Sequence, residues 1–139
     1  MKKIFLILIV ILTFSMSFNV PSAFASSDNP LFVTITAESC HSCQKLKPVV
    51  ENLENNFNGK VTFITLDITS RASIEEAKSK AQEYGIIDFF NKNKSTVPKV
   101  GILCPGGKVE KEFLGEIDQN IYESALNELL TDPVHLCSL

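Results

Sequence analysis

The residues of this 139-residue chain best suited to chemistry are its four cysteines, and their spacing divides them. Cys40 and Cys43 enclose only His41 and Ser42, whereas Cys104 and Cys137 each stand alone. Two thiols three positions apart can exchange a disulfide with a partner, one attacking as a thiolate and the other resolving the mixed disulfide. The attacking sulfur must ionise, and a helix N-terminus favours that through its unpaired N–H groups and its dipole. Cys40 is therefore expected to attack, or be attacked, first, with Cys43 one turn inward. His41 and Ser42 lie between them, and an imidazolium there would favour the thiolate. Two other readings stay open. Cys40, His41 and Cys43, alone or together with His135 and Cys137, offer donors that zinc and copper accept. The pair could also be an inert bridge in a binding module that never turns over.

The elements that must hold these residues follow from periodicity. Leu31 to Thr36 is a β-branched, mostly apolar run long enough for a buried strand, and Cys40 comes straight after it. Leu46, Val49, Val50, Leu53 and Phe57 recur at helical spacing, predicting an amphipathic helix that ends near Asn58-Gly59. Val61 to Ile68 reads as a second strand. Ser73 with Glu76 reads as a capping box for a helix carrying Ile74, Ala77, Ala81 and Tyr84 and stopping at Gly85. Asp88 to Ser95 is polar apart from Phe89 and Phe90 and reads as an insertion or a short extra helix. Val97 to Leu103 and Val109 to Leu114 are strands around the turn Pro105-Gly106-Gly107. Asp118 caps a last helix with the apolar face Ile121, Ala125, Leu126 and Leu129. The order β-α-β-α-β-β-α predicts an α/β fold with a central mixed sheet flanked by helices.

Composition sets the context. The chain is 45% apolar and 21% charged, but residues 4–25 contain no charged side chain. Met1-Lys2-Lys3, the apolar run Ile4 to Leu12 and the Ala23-Phe24-Ala25 site have the three parts of a secretory signal. Cleavage after Ala25 is expected, leaving one domain over residues 26–139; the alternative is an uncleaved anchor in residues 4–25. Either way the domain is expected to be exported, in a periplasmic or other extracytoplasmic location where thiols oxidise. Without residues 1–25 the formal charge is −5, since Lys2 and Lys3 are lost and no acid is. That sign argues against nucleic acid or an anionic membrane surface as partner.

With these elements around it, Ala37-Glu38-Ser39-Cys40-His41-Ser42-Cys43-Gln44-Lys45 resembles the active-site turn of the thioredoxin superfamily. Pro48 matches the proline in that family's active-site helix, and Tyr84-Gly85-Ile86 resembles the segment leading to its cis-proline. Val97-Pro98 matches the cis-proline step, and Gly107 and Gly115 match glycines of the last hairpin and beyond. The resemblance spans roughly Leu31 to Leu130. It departs in several places. Thr34 stands where the family usually has a buried aspartate, Ser39 replaces a common tryptophan, and His-Ser replaces Gly-Pro. The stretch from Cys43 to Pro98 is longer, and no counterpart of the family's N-terminal strand and helix is expected ahead of Leu31.

The resemblance implies a thioredoxin-like fold and thiol–disulfide exchange with protein substrates, needing no cofactor or metal. It implies Cys40 and Cys43 as catalytic residues, with His41, Ser42, Val97 and a cis Pro98 binding substrate. An extended partner segment could pair with the Val97 backbone. With Thr34 no acceptor for the Cys43 proton, Glu38 or water would substitute. A monomer with a membrane redox partner is expected. Thr34 and His41 both lean toward a couple more oxidising than thioredoxin's, which is about −270 mV. In this topology Cys104 and Cys137 fall at the opposite pole from Cys40, where a structural disulfide is expected, closing a loop of over thirty residues.

Overall fold

The computed structural model describes residues 28–138. The expected signal segment, whether cleaved after Ala25 or kept as an anchor, lies outside the described residues. Among those described, no helix is long and apolar enough to cross a membrane.

Four strands form one mixed sheet in the order β2-β1-β3-β4: β1 Leu31–Thr36, β2 Thr62–Asp67, β3 Lys99–Leu103 and β4 Val109–Leu114. Strand β1 runs parallel to β2 with Thr34 opposite Thr65 and Thr36 opposite Asp67. It runs antiparallel to β3, with Leu31 opposite Leu103 and Ile35 opposite Lys99. Because side chains alternate along a strand, β1 feeds two cores. Phe32 packs with Leu46 and Leu53 of α1 (His41–Asn56) and with Tyr122, Leu126 and Leu129 of α4 (Gln119–Thr131). Leu31, Val33 and Ile35 pack on the other face with α2 (Arg71–Glu83) and α3 (Ile87–Asn93).

Three expectations shift: the cap of α2, the start of β3 and the inward face of α4. Helix α2 is opened by Ser70, whose hydroxyl accepts the Ser73 N–H while Ser73 Oγ accepts the Ser70 N–H. Ser73 thus closes the capping box, and Glu76 has no part in it. Of the two readings of Asp88 to Ser95, the short extra helix is the one found: it is α3, which carries Phe89 and Phe90 into the core. Gly101 makes room for it, since a Cβ there would lie 2.6 Å from the Phe89 ring. Strand β3 begins at Lys99, so Val97 and Pro98 precede it. On α4, Tyr122 is the buried residue while Ile121 is 40% exposed, the phenol donating to the Glu116 carbonyl at 2.8 Å. Burial pushes the Tyr122 phenol well above its usual range, with the Glu116 charge adding to the shift. A further short helix, α5 (Pro133–Cys137), follows α4.

Candidate active site

The chain leaves β1 at Thr36, turns through Ala37–Ser39 and enters α1 at His41. The Cys40 amide donates to the Ala37 carbonyl at 3.1 Å, closing the turn. Cys40 itself is the N-cap, with φ −86° and ψ 108°, and its sulfur accepts the Cys43 N–H at 3.1 Å. A sulfur so placed sits at the positive end of the helix dipole, in the position that best stabilises a thiolate. Cys40 and Cys43 are joined in a disulfide with Cα atoms 5.2 Å apart. Cys40 is half-buried whereas Cys43 is only 5% exposed, so one sulfur can meet a partner and the other cannot. His41 is exposed and Ser42 half-buried on the first turn of α1. Pro48 lies inside α1, and the helix continues through it.

The Val97–Pro98 peptide is cis. Since Lys99 pairs with Ile35, Pro98 lies at the end of β1 from which the chain turns toward Cys40. Pro98 is buried and Val97 half-buried, and the Pro98 carbonyl accepts the Gly115 N–H at 3.0 Å. The start of β3 is held by Glu112, whose carboxylate takes Lys99 at 2.7 Å and Lys92 at 2.9 Å. Hydrogen bonds from Lys99 and then Lys92 hold the Glu112 carboxyl below its usual range.

Behind Cys43 lies a cleft of about 610 Å³ between α1 and the β1–β2 edge, lined by Thr34, Thr36, Glu38, Thr65 and Asp67 among others. Thr34 is buried and its Oγ1 has no hydrogen-bond partner among the described residues. Glu38 is exposed in the turn, and its backbone carries two contacts that local sequence reasoning missed. Its N–H donates to Thr69 Oγ1 at 2.8 Å, and its carbonyl accepts Gln44 Nε2 at 3.1 Å. The sequence signal for the first was the Asp67-x-Thr69 turn pattern, which marks a side chain bonding its own backbone but not the distant strand end it meets.

Cys104 and Cys137 lie at the other end of the sheet. Leu103 pairs with Leu31, the first residue of β1, whereas Cys40 follows its last. The two cysteines, 33 positions apart, form a disulfide with Cα atoms 5.5 Å apart. Lys108 Nζ donates to the carbonyls of Leu136 at 3.1 Å and Ser138 at 2.8 Å, seating α5 beside the bridge. His135 belongs to α5, which the Cys104–Cys137 bridge holds at this pole. Among the described residues no group of three His, Cys, Asp or Glu side chains could hold a metal ion.

The thioredoxin family model matches residues 12–104. Similar proteins include a thioredoxin of Chlorobaculum thiosulfatiphilum, 26% identical over 79% of this chain and 88% of its own length. Thioredoxin 2 of Chlorobaculum tepidum is also 26% identical, over 79% of this chain and 87% of its own. Thioredoxin C-2 of Corynebacterium nephridii is 33% identical over 68% of this chain and 82% of its own.

Proposed function

The chain belongs to the thioredoxin family of thiol–disulfide oxidoreductases, and from that premise we propose that it is exported and exchanges disulfides with protein substrates through Cys40 and Cys43. The observation that carries this reading is the contrast between the two sulfurs: Cys40 half-buried at the helix N-cap, Cys43 shielded behind it. In the reducing direction the Cys40 thiolate attacks a substrate disulfide, and the displaced substrate sulfur leaves as a thiolate and takes up a proton. Cys43 then gives up its proton and attacks Cys40 Sγ. The Cys40–Cys43 bond forms, the mixed disulfide breaks, and two electrons have passed to the substrate. The same steps in reverse deliver a disulfide. The cis Val97–Pro98 peptide supports a role for the Val97 backbone in pairing with an extended substrate segment, with His41 and Ser42 flanking it. Export is supported by the basic start, apolar run and Ala23-Phe24-Ala25 site. A monomer recharged by a membrane redox partner completes the reading.

Cys40→Ser should abolish exchange, while Cys43→Ser should accumulate mixed disulfides with substrates. Equal residual activity in the two variants would overturn the assignment of roles. N-terminal sequencing of the protein recovered from the extracytoplasmic fraction tests export, with Ser26 as the expected first residue. Equilibration with glutathione buffers then gives the direction, a potential above thioredoxin's being expected.

A further inference from the structure

We propose that Thr69 and Gln44 are positioning residues for Cys40: they hold the Glu38 backbone at its N–H and at its carbonyl and so set how readily the Cys40 thiol ionises. The inference deepens the exchange reading above and rests on it.

The grip begins with the parallel register. Thr36 and Asp67 end β1 and β2 side by side, and the Ile68 N–H donates to the Thr36 carbonyl at 2.9 Å. The next residue, Thr69, is thereby brought against the turn that leaves β1. Asp67 Oδ1 accepts both the Thr69 N–H at 2.8 Å and the Thr69 hydroxyl. With its hydrogen committed to a carboxylate, the hydroxyl oxygen turns its lone pairs to the Glu38 N–H, 2.8 Å away. A hydroxyl polarised in this way is a stronger acceptor than a free one. On the other side of the same residue, Gln44 of α1 donates to the Glu38 carbonyl at 3.1 Å. Glu38 is therefore tied to the β2–α2 junction and to the helix that carries Cys43.

Two residues later the chain must hold Cys40 at φ −86° and ψ 108° for its sulfur to meet the Cys43 N–H. The thiolate depends on that placement more than the neutral thiol does, because the helix N-terminus stabilises the charge. A turn released on either side lets the sulfur leave the cap for part of the time. The thiol pKa then rises and the thiolate fraction at neutral pH falls. Neither side chain need touch the substrate.

The test uses the full chain in a Cys43→Ser background, so that Cys40 is the reactive thiol, and follows its alkylation by iodoacetamide against pH. Thr69→Val keeps the shape and removes the acceptor; Gln44→Met keeps the length and removes the donor. Each should shift the ionisation midpoint upward and slow alkylation at neutral pH about two- to five-fold, as expected for losing a helix-terminus interaction. At alkaline pH, where the thiol is fully ionised, both should match the parent rate. Thr69→Ser, which keeps the hydroxyl, should titrate like the parent. So should Thr131→Val, which removes a hydroxyl bonded to the Asn127 carbonyl at 2.7 Å at the far end of α4. Superimposable profiles for Thr69→Val and Gln44→Met, or slowing by one factor at every pH, would overturn the grip. If Thr69→Val fails to fold, Gln44→Met carries the test alone, since Gln44 is exposed. Failure of the exchange reading shows separately, as a wild-type chain with both Cys40 and Cys43 that is alkylated at Cys40 once reduced but transfers no disulfide to or from a substrate.

Discussion

Thr34 carries a hydroxyl that is 5% exposed at the level of the residue and meets no acceptor or donor among the described residues. A buried polar group left without a partner costs about 1–3 kcal/mol, and valine has nearly the same shape without the cost. Thr34 lies in β1 between Thr65 of β2 and Val100 of β3, where a β-branched replacement suits the strand. Thr34→Val should therefore raise unfolding stability by about 1 kcal/mol in a denaturant titration. No gain would mean that the hydroxyl is hydrated through the cleft it shares with Cys43. Cys40 shows the complementary case, a polar atom whose placement at a helix N-cap gives it a partner and a function together.

Among the elements, β3 and β4 matter most for the position of Pro98. Their antiparallel pairing begins with Lys99 opposite Leu114, and Glu112 ties Lys99 to Lys92 of α3 across the sheet surface. The Glu112 carboxyl titrates lower in the folded protein than in the unfolded chain because its partners favour the charged form. Its contribution is thus present above the unfolded value of about 4.3 and is lost as pH falls through the depressed folded one. Glu112→Gln should flatten the acid arm of a stability-against-pH curve, leaving less difference between neutral and strongly acidic solution. Beyond the edge strand β2, Ser70 caps α2, and the Ile86 N–H closes it by donating to the Ala81 carbonyl at 2.8 Å. Gly85, at φ 69°, supplies the left-handed residue that this closure needs. Ser70→Ala should cost about 1 kcal/mol, readable as a lowered midpoint in thermal unfolding.

On the scale of the molecule, the two disulfides divide the labour. One sits at the start of α1 with a half-buried sulfur; the other joins buried Cys104 to α5 across 33 positions. A loop of that length restricts the unfolded chain by about 3–4 kcal/mol on the chain-entropy model. Cys137→Ser should cost stability of that order while leaving Cys40 reactivity unchanged, because the two bridges lie at opposite ends of β1 and β3. Mapping of non-reduced peptides during graded reduction should show the Cys104–Cys137 linkage outlasting Cys40–Cys43, since Cys104 is 1% exposed.

Element type and order were legible because they rest on local periodicity. The β-branched run of β1, the helical spacing of Leu46, Leu53 and Phe57, and the Asp118 cap each declare themselves within a few residues. So does the start of α1 at Cys40, since a strand that gives way to a helical pattern there leaves the cysteine at the junction. Orientation within an element was less legible: Ile121 and Tyr122 are neighbours on α4, and only the packing of Tyr122 against Phe32 and Phe113 decides which turns inward. The polar stretch after Gly85 gave no sign that Phe89 and Phe90 would enter the core, because the room for them is made by Gly101 on a distant strand. Ser73 carries the cap pattern with Glu76, but the extended backbone at Ser70, φ −131° and ψ 166°, puts the N-cap there and leaves Ser73 at N3. Local pattern can mark a residue as able to bond, but Thr69 meets Glu38 only because parallel pairing of β1 and β2 ends both strands at the same level. Periodicity within the chain determined what each segment would become; contacts between segments decided which side chains would meet.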